Sequence, residues 1–437
     1  MGLLMSKIRT TVYAFFALLC CSSLTLADSS PLEIQKSTRI NQLNSSFLKV
    51  ALGDAAPKNT MVSSVSMFYA LSILEMGASG NTNALLRNLL LTKPVESQSV
   101  AKLVALLSFQ LVNEPVDSDS AHGRFQLSHS VWATTGETSG LPFVLASQFT
   151  EGVRDAYTAE VHNIDFLSPG ASALINKWSL DSTNGLIKDV IDDQTLQSLT
   201  WVIANTTYFE GAWANPMRKT PPSENYRFMT SDGHLLKVDS ISSSQSLRVV
   251  DNDNGSLTLS IPFSGGKYYM VLQVPAKSEN NIGAWLRDVA VPEQSAAIER
   301  IFSPQVPRFN VHLRMPVFSF GQRHRFLANT PATRKLGLLP LFTNAANLTN
   351  LVNTALSHPA VQETRVGLIQ QDTRIELDEK GVKAAAVTVI DGMIKSKALL
   401  SFEYRHIDID RPFVWSIVEG QSQTVLFSGV LANPLER

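Results

Sequence analysis

The sequence predicts an α+β fold, and three observations carry that prediction. Apolar residues recur at helical spacing in residues 32–52, 67–77, 102–113 and 143–157. Between them lie alternating or short apolar segments that read as strands, at residues 125–132, 160–166 and 200–209. From Ser223 to Val274 the chain breaks into short alternating pieces separated by turn residues, which suggests a smaller antiparallel sheet.

With 437 residues, 44% of them hydrophobic and 17% charged, the chain is long enough for a sizeable core. Lys+Arg number 37 against Asp+Glu 38, so the net charge of -1 gives no reason to expect nucleic acid or an anionic surface as partner.

At the N-terminus, Lys7 and Arg9 precede an apolar run from Val12 to Cys21, and Thr25-Leu26-Ala27 precede Asp28. This predicts a secretory signal peptide over residues 1–27, with a retained anchor as the alternative. Both cysteines, Cys20 and Cys21, lie inside it. A cut after Ala27 would leave a cysteine-free chain, stabilised by packing rather than disulfides in an oxidising compartment. A lipoprotein reading of Cys20 fails because Leu19 is not small. No later run is long and apolar enough for a membrane helix. Asn-x-Ser/Thr sites occur at Asn44, Asn205, Asn254 and Asn347, and Asn205 falls in a segment that reads as a buried strand.

In chain order, the first amphipathic helix stops at Gly53, with Pro57 soon after. Ser63 or Ser66 then opens the apolar helix that ends at Gly77, each reading first as an N-cap. Asp251-Asn252-Asp253-Asn254-Gly255 has its glycine misplaced and no closing glutamate for a calcium loop, so it predicts a tight turn. Residues 311–320 read as a strand, and Arg323-His324-Arg325 as a solvated turn or a weak anion site.

The organising stretch is Glu379 to Ser396. Arg374-Ile375-Glu376-Leu377-Asp378 alternates as a strand, and the chain turns at Gly381. Val382, Ala384, Ala386, Thr388, Ile390 and Gly392 then share a face without charge, while Lys383 and Asp391 fall on the other. By periodicity alone this is a buried, inert hairpin. Its sequel, Met393-Ile394-Lys395-Ser396-Lys397, reads instead as an accessible site for a protease that cuts after basic residues.

Enzyme signatures are missing from the sequence: no Gly-x-Ser-x-Gly turn, no His-Glu-x-x-His helix, no Walker or dinucleotide loop. The eight histidines are scattered without chelating spacing, and His122, His129 and His312 read as satisfied structural groups rather than ligands. No cofactor or metal is expected.

Glu379-Lys380-Gly381, followed after a pair by Ala384-Ala385-Ala386 and Thr388, resembles the reactive-centre-loop hinge of the serpins, the serine protease inhibitor family. The likeness extends through Asn59 to Thr82, Ile175-Asn176-x-Trp178 with Thr183, Gly185 and Ile187, and Asn205-x-x-Tyr208-Phe209-x-Gly211-x-Trp213-x-x-Pro216. It continues through Pro316-x-Phe318 and Asn347-Leu348-Thr349 to Arg411-Pro412-Phe413, Leu426-Phe427-x-Gly429 and Asn433-Pro434.

The resemblance implies one serpin domain over residues 28–437, with a reactive-centre loop at about residues 379–410. It implies a large central mixed β-sheet, smaller antiparallel sheets and about eight to nine helices. It nominates Lys395–Ser396 as the bond cut by the target, with Lys397–Ala398 second. It further implies a polar network beneath the sheet from Ser63, Ser66, Asn205 and Gln371, the last standing where many members have His. Val382 stands where inhibitory members usually have Thr or Ser. The expected function is a secreted or periplasmic, monomeric suicide inhibitor of trypsin-like serine proteases, without nucleic-acid, membrane or cofactor partners. The alternative is a non-inhibitory serpin-like binding or carrier protein.

Overall fold

The structure, a computed structural model, describes residues 30–93, 99–112, 123–223, 225–382 and 404–436. The expected signal segment and the stretch carrying Ala384, Ala385, Ala386, Thr388, Lys395 and Ser396 lie outside the described residues, as does His122.

Among the described residues the strands are, in chain order, β1 (Thr60–Val62), β2 (Arg124–Thr134), β3 (Glu160–Ile164), β4 (Trp201–Ala212), β5 (Arg218–Thr220), β6 (Arg227–Met229), β7 (Leu235–Lys237), β8 (Ser240–Asp251) and β9 (Leu257–Pro262). They continue as β10 (Tyr268–Val274), β11 (Arg308–Pro316), β12 (Phe318–Phe326), β13 (Ile369–Leu377), β14 (Gly381–Val382), β15 (Arg405–Asp408), β16 (Phe413–Glu419) and β17 (Thr424–Leu431). A six-stranded mixed sheet runs β12-β13-β14-β4-β2-β3, with β2 and β3 parallel. A second sheet runs β1-β17-β16-β10-β9-β8-β11-β15, with β5 paired to β8 off that path. Its two halves join in β8, whose residues 240–248 pair with β11 and residues 248–251 with β9. The hairpin β6-β7 stands apart.

The arrangement follows from residue patterning. β16 and β17 are mostly apolar and buried at every position, including Ser416, Glu419, Thr424 and Ser428, as strands covered on both faces must be. β13 alternates, with Gln371, Thr373, Ile375 and Leu377 buried, and so presents one face to the core. The helix Ser64–Gly77 is buried along most of its length and packs against both β4 and β17, between the two sheets. The helix Ala171–Ser182 covers the other face of the six-stranded sheet, where Ile175 and Trp178 meet Trp132, Val202 and Ala204.

Eleven α-helical segments are described against the expected eight to nine. The excess is short pieces: Asp193–Gln197, Ile282–Trp285 and Pro331–Lys335 are about a turn each. The single first helix expected over residues 32–52 is two, Pro31–Ser37 and Ile40–Leu52. Thr38 divides them by turning extended, with its hydroxyl donating to Gln35 O and its backbone bridging to Leu91.

The helix expected from residue 143 starts only at Ser147, because Leu145 bridges to Val352 instead. The strand expected over residues 311–320 is β11 and β12, parted at Val317, whose N–H donates to Asp239 O. Residues 251–255 form the expected turn between β8 and β9, with Gly255 at φ 77°.

Candidate functional site

The hinge sits where β14 enters the six-stranded sheet. Asp378 opens a tight turn: its N–H donates to Gly381 O, and its carboxylate accepts from the N–H groups of Lys380 and Gly381. Gly381 is at φ 149°, and a Cβ there would stand 2.0 Å from Gly211 O. Only glycine fits this close approach.

Val382 follows, 3% exposed, with Leu377 opposite on β13 and Gly211 opposite on β4. Trp213 fastens the turn from the far side. Its N–H donates to Lys380 O, its indole N–H donates to Asp378 O at 2.9 Å, and its ring stacks on Phe263. Glu379 O accepts from Met217 N–H. Of the expected hinge residues, Glu379, Gly381 and Val382 are therefore placed together at one end of the sheet.

Beyond Val382 no described strand lies between β4 and β13. β4 is paired along its length with β2, and β13 with β12. Among the described residues no ladder joins β4 to β13. The two strands therefore turn unladdered edges toward each other, a geometry that accepts a further strand. A cavity of about 120 Å³ lies along this slot, lined by residues 201–206 and 366–372 and by side chains of the helices on either side. Three buried polar atoms lining it, Asn205 Oδ1, Thr206 Oγ1 and Ser179 Oγ, have no hydrogen-bond partner among the described residues. Buried orphans of this kind are costly, and a polar occupant of the slot would relieve them.

Under the slot, Ser63, Ser66, Asn205 and Gln371 do come together, through backbone groups. The Gln371 amide donates to Ser63 O at 2.6 Å and accepts from Ser63 N–H at 3.0 Å. Asn205 donates to Ser66 O at 2.8 Å. Ser63 is also the N-cap of its helix, its oxygen accepting from Ser66 N–H, while its hydroxyl donates to Leu426 O. The capping role and the network role thus coincide in Ser63, whereas Ser66 contributes its backbone. Thr207, absent from the sequence reading, donates to Ser63 Oγ at 3.3 Å.

Electrostatics at the site follow burial and pairing. On the face away from the network, Tyr208 donates to Glu210, and burial is the main cause pushing its pKa up to about 12. A hydrogen bond to Asp239, then that carboxylate's charge, holds Lys219 above the usual range, with Glu379 and Asp378 adding to the effect.

Arg323-His324-Arg325 is not a solvated turn. It lies in β12, where Arg323 pairs with Asp372 and donates to Asp189 O, and Arg325 donates to Gln370. His324 turns the other way, 2.8 Å from Met61 O, and burial lowers its pKa. The pattern was visible as alternation, but the partners come from distant segments. His129 is likewise not a satisfied group. It is buried and stacked on Tyr69 with Nδ1 unpartnered, and desolvation depresses its pKa to about 3.

A family model described as "Serpin (serine protease inhibitor)" matches residues 39–434. The chain belongs to the serpin family. Among relatives of this serpin, Serpin-Z2A of Triticum aestivum is 28% identical over 94% of this chain and 98% of its own. Serpin-Z10 of Arabidopsis thaliana is 26% identical over 86% and 92%. Human glycosylated kallistatin shares the fold, with a TM-score of 0.74 at 18% identity over 94% of this chain and 100% of that one. The serpin fold expected from the sequence is thereby established, and serpins are generally protease inhibitors rather than enzymes. Among the described residues no helix is long and apolar enough to cross a membrane.

Proposed function

We propose that this serpin is a secreted, monomeric suicide inhibitor of trypsin-like serine proteases, cut at Lys395–Ser396, whose severed loop fills the slot between β4 and β13. The observation carrying this reading is that β14 already occupies one end of the slot, antiparallel to both neighbours, while among the described residues no ladder joins β4 to β13.

Continuing the two registers past Val382 gives the partners of the cleaved loop. Lys383 would face Glu210 and Glu376 on the outer side, a favourable cross-strand charge arrangement. Ala384 would face Phe209 and Ile375, Ala386 would face Thr207 and Thr373, and Thr388 would face Asn205 and Gln371. Thr388 thus brings a hydroxyl donor to the orphaned Asn205 Oδ1.

The parity fixed by buried Val382 turns every charge outward, and Glu379 to Ser396 contains no proline to interrupt the ladder. Roughly a dozen new backbone hydrogen bonds at about 1 kcal/mol net each, plus buried apolar area, supply on the order of 10 kcal/mol.

The chemistry belongs to the target. Its serine attacks the Lys395 carbonyl, the Ser396 amine leaves as a new N-terminus, and an ester links protease to Lys395. Insertion then carries the protease across the molecule and distorts its active site before water cleaves the ester. The Lys395 ammonium suits a specificity pocket with a carboxylate at its base. Residues 1–27 support export, and Lys397–Ala398 is the second candidate bond.

The test is to mix the protein with trypsin. The reading predicts a complex that survives boiling in detergent and a new N-terminus at Ser396 by mass spectrometry. Plain cleavage into two fragments with active protease left over would count against it.

A further inference from the structure

The exposed face of the second sheet brings together two imidazoles that the sequence keeps far apart. His312 on β11 and His406 on β15 are direct partners in the parallel ladder, their ring centres 5.3 Å apart and their planes inclined at 58°. Their 94-residue separation in sequence gives no chelating spacing, and only the strand register brings them together.

On its other side His312 faces Ser244 of β8, and Nδ1 lies 2.9 Å from the Ser244 hydroxyl. This contact engages Nδ1 and leaves Nε2 as the ring nitrogen open to a ligand, with its lone pair free in the tautomer in which Nδ1–H donates to the hydroxyl. His406 is exposed, and no hydrogen bond engages its ring among the described residues.

The spacing suits an ion. A tetrahedral metal about 2.05 Å from one nitrogen of each ring lies about 3.2 Å from each ring centre, which puts the centres about 5.2 Å apart. The observed separation matches this. We propose that His312 and His406 form a cross-strand site for a borderline divalent metal ion of the zinc class, which pins β15 to β11.

The protein supplies two ligands and water the rest. Among the described residues no group of three or more His, Cys, Asp or Glu converges on a metal position. Asp408, two residues along on the same side, is occupied by Arg314 at 3.0 and 2.6 Å. The site is therefore weaker than a structural zinc centre.

Its consequence is mechanical. β15 is a four-residue edge strand held by a short parallel ladder, and it is the first strand after residues 383–403. An ion bound only when β15 is docked stabilises that docking by mass action. This stands independently of whether the loop inserts.

The test is calorimetric titration of the mature chain, free of any polyhistidine tag, with zinc chloride. One saturable ion per chain is expected. His312→Ala and His406→Ala should each weaken binding at least tenfold, while His234→Ala, in the β6-β7 turn, should leave it unchanged. Amide exchange of Arg405–Asp408 should slow at saturating zinc in the parent and not in His406→Ala. Absent saturable binding, binding that survives both substitutions, equal loss in His234→Ala, or unaltered exchange at saturation would each overturn the proposal.

Discussion

Gln371 grips the backbone of Ser63 at two points, donating to its carbonyl at 2.6 Å and accepting from its N–H at 3.0 Å. This ties β13 to the start of the helix beneath the slot, from one side of the opening. Asn205 does the same from β4 by holding Ser66 O. The two strands flanking the slot are thus anchored to one helix rather than to each other, so they can part or receive a strand without losing their footing.

Gln371→Ala would remove both Gln371 contacts to the Ser63 backbone; Ser63 O keeps Met67 N–H, but the Ser63 N–H is left unsatisfied in the interior. A loss of about 2–3 kcal/mol in native stability is expected from urea unfolding. An unchanged midpoint and slope would mean that the contact bears no stability.

Gly381→Ala introduces a Cβ into the carbonyl of Gly211 at a backbone angle that other residues rarely adopt. The variant is expected to unseat β14 at a cost of about 2–4 kcal/mol, seen as faster amide exchange at Val382. Exchange equal to the parent would show that the close approach relaxes cheaply.

Acid should weaken the fold through His129. Burial depresses its folded pKa to about 3, below the unfolded value, so the unfolded chain takes the proton first as pH falls. The sign is that of a group favouring the native state above the unfolded pKa and losing that contribution between about pH 6.5 and 3, at up to about 1.4 kcal/mol per pH unit. His324, also lowered by burial, acts in the same direction. His129→Phe, which keeps a ring against Tyr69, should flatten the pH dependence of unfolding in that window. A slope unchanged from the parent would rule His129 out.

The insertion parity is best tested beyond the part already seated. Val382 is buried in the uncut protein, so an arginine there would disturb the native sheet as well as any later step. Ala386→Arg instead carries a charge to a position the continued register turns inward. It is expected to convert the protein from inhibitor to substrate, with trypsin cleaving it and keeping its activity. Complex formation at the parental yield would show the register to be wrong.

Much of this was legible from local pattern. Period-two alternation marked Arg374–Asp378 as a strand and put Val382 on the uncharged face of the stretch that follows, while the motif likeness, not periodicity, marked the hinge and the closing hairpin β16–β17. What was not legible depends on which distant edges meet. Nothing near Trp213 in sequence announces that its indole holds Asp378 O, and nothing near His312 announces His406. The break at Thr38 was hidden because its cause, a bridge to Leu91, comes from another segment. The open edges of β4 and β13 are likewise a property of a pair, invisible in either strand alone.

The most direct measurement is thermal unfolding of the protein before and after its loop is nicked by a protease that it does not trap. A strand entering between β4 and β13 should raise the melting temperature by tens of degrees. A nicked protein that melts where the intact one does would contradict the account.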